Sequence, residues 1–271
     1  MEPKVSVVLS TYNAVAWLEK VLWGYAQQTY KAFEIIIADD GSTSETARTI
    51  ERLKHELKLN LIHVWQEDEG FQKSRILNKA LLACQTNYVV MSDGDCIPRA
   101  DFLEVHVAYR KEGHFLSGGY FKLPLSISET ITPEDIVAQS CFDLAWLQAQ
   151  GLPKSFKNKK LTAKGFSQQF FNQLTPTKAT WNGHNASGWK ADLLAVNGFD
   201  ERMQYGGQDR ELGERLVNLG IRPVQIRYSA ICVHLDHKRG YAQPESIAKN
   251  KKIRQKTRSE KRIWTAFGIQ K

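Results

Sequence analysis

Cysteine is scarce in this chain and never closely spaced. The four cysteines, Cys84, Cys96, Cys141 and Cys232, are scattered with no Cys-x-x-Cys among them, which argues against a disulfide framework and a zinc knuckle and fits a reducing compartment. Long apolar runs are missing as well, since no stretch approaches the roughly 20 apolar residues that a membrane-spanning helix needs. Met1-Glu2-Pro3-Lys4 leads into a strand-like run without a secretory pattern, so the expected location is cytoplasmic. Internal repeats and low-complexity tracts are absent, which removes solenoids and disordered arrays.

A basic surface across the fold is absent too, although the net charge is +8. Lys238 to Lys271 holds eleven Lys or Arg against Glu245 and Glu260, so the C-terminal tail carries the excess and residues 1–237 are nearly neutral. A nucleic-acid groove is therefore not expected. The tail mixes these cations with Ile247, Ile253, Ile263, Trp264 and Phe267. It reads either as an exposed charge-rich helix or as a peripheral contact with an anionic membrane face.

What is present is enough apolar residue for a sizeable core, 42% of 271 residues, in an alternating order. Val5–Ser10, Phe33–Ala38, Leu59–Trp65 and Tyr88–Ser92 read as strands, and helix-spaced segments near 14–28, 44–57 and 74–83 separate them. Strand–helix alternation implies right-handed crossovers and an α/β fold with a mainly parallel central sheet flanked by helices. Ligands of such sheets bind beyond the carboxyl ends of the strands. Thr11-Tyr12-Asn13, Asp39-Asp40 and Asp93-Gly94-Asp95 all fall there.

Asp93-Gly94-Asp95 puts two carboxylates at the end of a buried strand, where one can face a ligand and the other a hard divalent cation. Gly94, without a Cβ, is read as allowing a diphosphate close to the backbone. Taken singly, Thr11, Asn13, Asp39 and Asp40 are equally well turn and cap residues. After about Gly119 the alternation stops. Residues 119–180 read as an insertion, with a helix-like piece over 135–150 and an exposed loop at 154–160. Order returns at Trp181, with a helix near 190–196, another opening at Gly206-Gly207-Gln208-Asp209, and one strand over 224–234.

The run Val5-Ser6-Val7-Val8-Leu9-Ser10-Thr11-Tyr12-Asn13, the turn Ala38-Asp39-Asp40-Gly41-Ser42 and the segment Ser92-Asp93-Gly94-Asp95-Cys96-Ile97-Pro98 together resemble family 2 glycosyltransferases of the GT-A fold. Asn197-Gly198-Phe199-Asp200-Glu201 and Gly206-Gly207-Gln208-Asp209-Arg210-Glu211-Leu212 resemble the C-terminal segment of galactosyltransferase-type and chondroitin-polymerase-like modules. The resemblance covers about 4–118 and 181–237, which it implies form one GT-A domain over 1–237, with 1–118 as the nucleotide-sugar half, 119–180 over the acceptor face and 181–237 as the acceptor and catalytic segment. Residues 238–271 would be a basic helical extension.

The resemblance also implies roles. Thr11, Asn13, one of Asp39 or Asp40, and Lys73, Arg75 and Asn78 would hold the donor nucleotide, a UDP-sugar in first place, and Asp93 would touch its ribose or sugar. Asp95 and His234 would ligate Mn²⁺ or Mg²⁺, with His237 as a competing ligand and a core histidine as the other reading of His234. Asp209 would be the general base of an inverting transfer, kept ionised by the helix N-terminus. Gln208, Trp181 and Tyr205 would meet a saccharide or lipid-linked saccharide acceptor of a cell-surface glycan such as lipopolysaccharide or capsule, although Trp181 and Tyr205 read equally as core aromatics. Two alternatives remain: a nucleotidyltransferase, against which Ser10-Thr11-Tyr12-Asn13-Ala14 offers no Gly-rich phosphate loop, and a non-catalytic sugar-nucleotide or polyanion-binding protein.

Overall fold

Val5–Thr11 forms strand β1, buried on both faces as a central parallel strand is, with the buried hydroxyl of Ser6 donating to Glu34. The structure is a computed structural model and describes Glu2, residues 4–237 and residues 243–271. From β1 the chain runs through α1 (Val15–Ala26), β2 (Phe33–Asp39), α2 (Ser44–Leu57), β3 (Leu61–Trp65), α3 (Lys73–Ala83) and β4 (Tyr88–Asp93). Strand β3 begins later than expected because Lys58 adopts a left-handed conformation, φ 52°, that ends α2 and turns the chain.

Beyond β4 come β5 (Cys96–Pro98), α4 (Phe102–Tyr109), β6 (His114–Ser117) and β7 (Phe121–Lys122). Four short helices follow, α5 (Leu125–Thr130), α6 (Pro133–Val137), α7 (Leu144–Ala149) and α8 (Lys159–Thr162), and then α9 (Gly165–Leu174). The last part holds β8 (Ala186–Trp189), α10 (Lys190–Ala195), α11 (Gln208–Asn218), β9 (Arg222–Gln225), β10 (Cys232–His234) and α12 (Pro244–Ser259).

Seven strands join in the order β3-β2-β1-β4-β8-β6-β9, and β5-β10-β7 form a smaller sheet. The pairs β1–β2, β2–β3, β1–β4 and β6–β9 are parallel; β8 runs antiparallel to both of its neighbours. The single strand expected over 224–234 is two, β9 and β10, in different sheets. Ser229 and Ala230 donate their amides to the Ile226 carbonyl, and that turn redirects the chain.

The 119–180 segment is more fragmented than its apolar spacing suggests. Gln139, at φ 60°, breaks the piece expected over 135–150 between α6 and α7, and residues 154–160 contain a 3₁₀ turn and the start of α8 rather than an open loop. Its Leu123, Ile127, Ile136, Cys141 and Leu147 join the core that holds Val5, Val7 and Leu9. The C-terminal segment is equally bound to the body. Asn250 of α12 donates to the carbonyls of Gln204, Tyr205 and Gly206, and Thr257 donates to Glu211. Lys238 and Arg239, the first cations of the predicted tail, lie outside the described residues.

Candidate active site

The carboxyl ends of β1, β2 and β4, the end of β10 and the N-terminus of α11 meet around one cleft of about 970 Å³. Thr11, Asn13, Asp40, Lys73, Asp93 and Asp95 line it, together with His234, His237, Gln208, Asp209 and Tyr205. Most of the predicted site residues therefore come together. Four do not: Asp39, Arg75, Asn78 and Trp181 are outside the lining.

Of the two carboxylates after β2, only Asp40 faces the cleft. Asp39 is fully buried, with Oδ1 accepting the Ser42 amide at 2.8 Å and Oδ2 meeting His63 Nε2 at 2.9 Å. It shapes the turn. Asp40 accepts from Gln66 Nε2 at 2.6 Å and from the Gln72 amide at 2.9 Å. Burial pushes its carboxyl up to about 6, against those bonds and the pull of Lys73 and Arg75. Asn13, at φ 45°, ties the turns after β1 and β2 by accepting the Thr43 amide and donating its own to Ser42 Oγ. Thr11 Oγ1 is buried with no hydrogen-bond partner.

Helix α3 gives the cleft Lys73, in its first turn, and Ile76. Arg75 pairs with Glu69 at 2.8 Å and reaches Gln66 instead of a nucleotide. Asn78 is buried against the 197–201 turn, donating to Phe199 O and Glu201 and accepting the Phe199 amide. Both are framework contacts.

Asp93 Oδ1 accepts from Ser10 Oγ and from Lys73 Nζ, each at 2.7 Å. Burial opposes its charge, yet the charge and hydrogen bond of Lys73 hold it well below the usual carboxylate range. Lys73 is likewise opposed by burial and raised overall by Asp93, Asp209 and Asp95. Gly94 has a different reason from the one its sequence suggests. A Cβ there would sit 2.9 Å from Ser10 O, so the missing side chain lets β4 close against β1.

Asp95 Oδ2 lies 2.9 Å from His237 Nε2 and 3.6 Å from His234 Nε2, and ligand atoms of all three fall within 4.8 Å of one another. Two imidazoles and a carboxylate are a donor set for a divalent transition ion. Charge in the cleft points the same way. Asp40, Asp93, Asp95 and Asp209 line it against Lys73 alone among Lys and Arg of the described residues. A diphosphate entering such a cleft needs further positive charge.

His184 and Tyr120 were not assigned from sequence. The Tyr120 ring lies 4.6 Å from that of His184 and 4.9 Å from that of His234, and burial pushes His184 down to about 4 despite Asp93 nearby. It is a neutral imidazole at ordinary pH. The only signal was the polar run Asn182-Gly183-His184-Asn185 before β8.

Asp209 enters from α11 with Oδ1 buried and unpartnered. The expectation that the helix end dominates its ionisation is corrected here. Burial raises the carboxyl above its ordinary value and Asp93 adds to this, while Lys73 and the backbone amides of Gly183 and Asp209 pull the other way. Gln208 is buried beside it, with Oε1 accepting the Gly206 amide, and Tyr205 packs edge-on against Phe71 with centroids 5.9 Å apart. Trp181 is wholly buried against Phe115, where a Cβ on Gly188 or Gly213 would strike it. It is core and meets no acceptor.

Residues 6–124 match the glycosyl transferase family 2 model. That segment is a family 2 glycosyltransferase domain. Over 251 residues it is 29% identical to a validoxylamine A glucosyltransferase of Streptomyces hygroscopicus subsp. jinggangensis, covering 88% of this chain and 56% of that protein. It is 27% identical to a hyaluronan synthase of Pasteurella multocida, over 80% of this chain and 23% of the synthase. The chain thus spans little more than half of the first relative and under a quarter of the second. A mannosyltransferase from Pyrobaculum calidifontis, solved in complex with GDP-Man and Mn²⁺, superposes with a TM-score of 0.59 at 21% identity, over 89% of this chain and 59% of that one. The fold of the family 2 domain and its continuation is GT-A.

Proposed function

We infer that this chain is a metal-dependent, inverting glycosyltransferase that moves a hexose from a nucleotide-diphospho-sugar, a UDP-sugar in first place, to a saccharide hydroxyl of a cell-surface glycan. The observation that carries the reading is that one cleft holds an unpartnered buried carboxylate oxygen on Asp209 and the Asp95–His234–His237 cluster. Thr11, Asn13 and Asp40 at its β1–β2 end would receive the nucleoside, with Asp40 accepting an imide N–H of the base. Asp95, His234 and His237 would hold a divalent cation. Bound there, the ion supplies Lewis-acid stabilisation of the departing diphosphate.

The remaining chemistry belongs to the side chains. Lys73 keeps Asp93 ionised beside the donor and lends positive charge to a cleft that otherwise repels phosphate. Asp209 takes the acceptor proton on its free Oδ1 as the hydroxyl attacks the anomeric carbon opposite the leaving group. Burial raises the Asp209 carboxyl above its ordinary value, which makes it a stronger base than a surface carboxylate once ionised, and Lys73 pulls the other way. Tyr205 offers an aromatic face to an acceptor sugar, and Gln208 a polar edge.

Nucleotide release from a panel of UDP- and GDP-sugars, with Mn²⁺, with Mg²⁺ and with chelator, tests the reading. Slow, metal-dependent release of UDP from one of them is the expected result. Pyrophosphate release would instead mark a nucleotidyltransferase, and tight nucleotide binding without turnover a binding module.

A further inference from the structure

Helix α9 is oriented the wrong way round for a helix packed on a water-soluble body. Phe166, Phe170 and Leu174 recur every four residues, within an arc of about 80°, and are 83%, 46% and 62% exposed. The Phe166 and Phe170 rings stack on each other at 6.3 Å. The inward side combines one ring, Phe171 on Tyr228, with a polar anchor: Asn172 is buried, donates to Ser229 Oγ and accepts the Tyr228 amide, each at 2.8 Å. An ordinary amphipathic surface helix turns its apolar stripe to the core. Here the stripe faces outward, and Phe156, 68% exposed, adds a further ring in the preceding 3₁₀ turn.

The charge around this stripe has one sign. From Leu144 to Ala191 the sequence contains seven lysines and no Asp, Glu or Arg. Lys154, Lys157, Lys159, Lys164 and Lys178 are exposed, and none forms an ion pair among the described residues. The C-terminal segment, where sequence reading puts a membrane contact, differs. Arg254 and Arg258 pair with Glu214, Arg262 with Glu260 and Lys271 with Glu201. Four of its nine described Lys and Arg are thus paired, and Lys249, Lys251, Lys252, Lys256 and Lys261 form no ion pair among the described residues, with Glu245 and Glu260 interspersed among them.

We propose that the α9 face, with Phe156, Phe166, Phe170 and Leu174 in a segment whose only charged side chains are lysines, one of them, Lys159, lying over the Phe156 ring at 4.4 Å, docks this chain on an anionic lipid bilayer. Aromatic and aliphatic side chains enter the headgroup boundary while lysines meet lipid phosphates, the arrangement by which interfacial helices bind membranes. The face lies on the Tyr120 side of the cleft. Phe171 of α9 packs on Tyr228, the neighbouring Arg227 lies against Gly119, and Lys160 Nζ donates to Tyr120 O at 2.9 Å. A docked molecule therefore holds its acceptor side near the lipid, which suits a lipid-linked acceptor. The docking itself does not depend on the transferase reading.

Flotation of the full chain with phosphatidylcholine vesicles, with and without phosphatidylglycerol, reads the proposal without any turnover. Binding is expected with the anionic lipid and about tenfold weaker without it. The double variant Phe166→Ser/Phe170→Ser and the triple variant Lys154→Gln/Lys157→Gln/Lys164→Gln, each checked for native circular dichroism and nucleotide binding, should each lose about tenfold. Lys251→Gln/Lys252→Gln, on exposed α12 positions, should bind as the unmodified chain does. The proposal is overturned if the unmodified chain fails to float with anionic vesicles, if the phenylalanine variant floats equally well, or if only the α12 variant loses binding. It is also overturned if sedimentation shows a dimer that Phe166→Ser/Phe170→Ser converts to monomer, which would give the face to a second copy.

Discussion

Lys73 Nζ stands 2.7 Å from Asp93 Oδ1 in a cleft that also holds Asp95 and Asp209. This pair joins the first turn of α3 to the end of β4 and fixes the charge of the site. Removing the ammonium affects more than Asp93. Lys73 also pulls down the carboxyl of Asp209, which burial and Asp93 push up. In Lys73→Gln the Asp209 carboxyl therefore rises further, and activity that needs its carboxylate disappears at a higher pH than in the unmodified chain. The acid limb of a kcat–pH profile should move upward; a profile that keeps its limb would separate Lys73 from the base.

Asp209 itself is tested by Asp209→Asn, which keeps the shape and removes the basic oxygen. Donor affinity, read by calorimetry with UDP and Mn²⁺, should change little. Transfer should fall about 10²- to 10⁴-fold, the usual contribution of a positioned base. Near-normal turnover in this variant would rule out the assignment.

Three side chains rather than two stand where a metal could be held, because His237 approaches Asp95 more closely than His234 does. Asp95→Ala should abolish Mn²⁺ binding measured by titration calorimetry, and His237→Ala should weaken it at least as much as His234→Ala. If His237→Ala bound Mn²⁺ as well as the unmodified chain, the third ligand would have to be found elsewhere.

The carboxyl of Asp40 is pushed up to about 6, and if it holds the base as proposed, donor binding should be sensitive to mild acid. Only the ionised form accepts an imide N–H with both oxygens free of protons, so UDP affinity should hold above that value and decline as pH falls through it. Asp40→Asn should bind UDP more weakly at neutral pH and lose this dependence. An unmodified chain whose UDP affinity is flat between pH 5 and pH 8 would show that Asp40 does not touch the base.

The N-terminal half was legible because buried parallel strands write themselves as apolar runs, and polar turns then fall at one edge. The assignments that failed have physical reasons. Lys73, Arg75 and Asn78 look like one basic and polar patch, yet on a helix Asn78 lies about 140° and Arg75 about 200° from Lys73, so one cleft cannot receive all three. Trp181 reads the same in sequence whether it stacks on a sugar or fills a core, and only the two glycines facing it in space decide. His237 and His234 could not be ranked, since His234 ends a three-residue strand and His237 lies three positions further in irregular backbone. The role of the C-terminal segment was hidden for a similar reason. Its anchors, Asn250 and Thr257, are polar residues whose partners lie some 40 or more positions away.

One of those anchors, Thr257, reaches a buried ion pair that carries the last prediction. Arg215 and Glu211, one turn apart on α11, form a pair with almost no exposure. Arg215 also donates to the carbonyls of Val196 and Gly198, and Glu211 accepts from Thr257 of α12. Beyond the pair itself, these bonds tie α11 to the 196–198 turn and to α12. In Arg215→Met the Glu211 carboxylate is left buried and opposed only by Thr257, and two backbone carbonyls lose their donor, a loss of about 3–5 kcal/mol for breaking such a pair from one side. Replacing both, as Arg215→Met with Glu211→Leu, removes the orphaned charge and should recover a large part of that loss in urea unfolding. A double variant no more stable than Arg215→Met would mean that the carbonyl contacts, and not the charge, hold α11 in place.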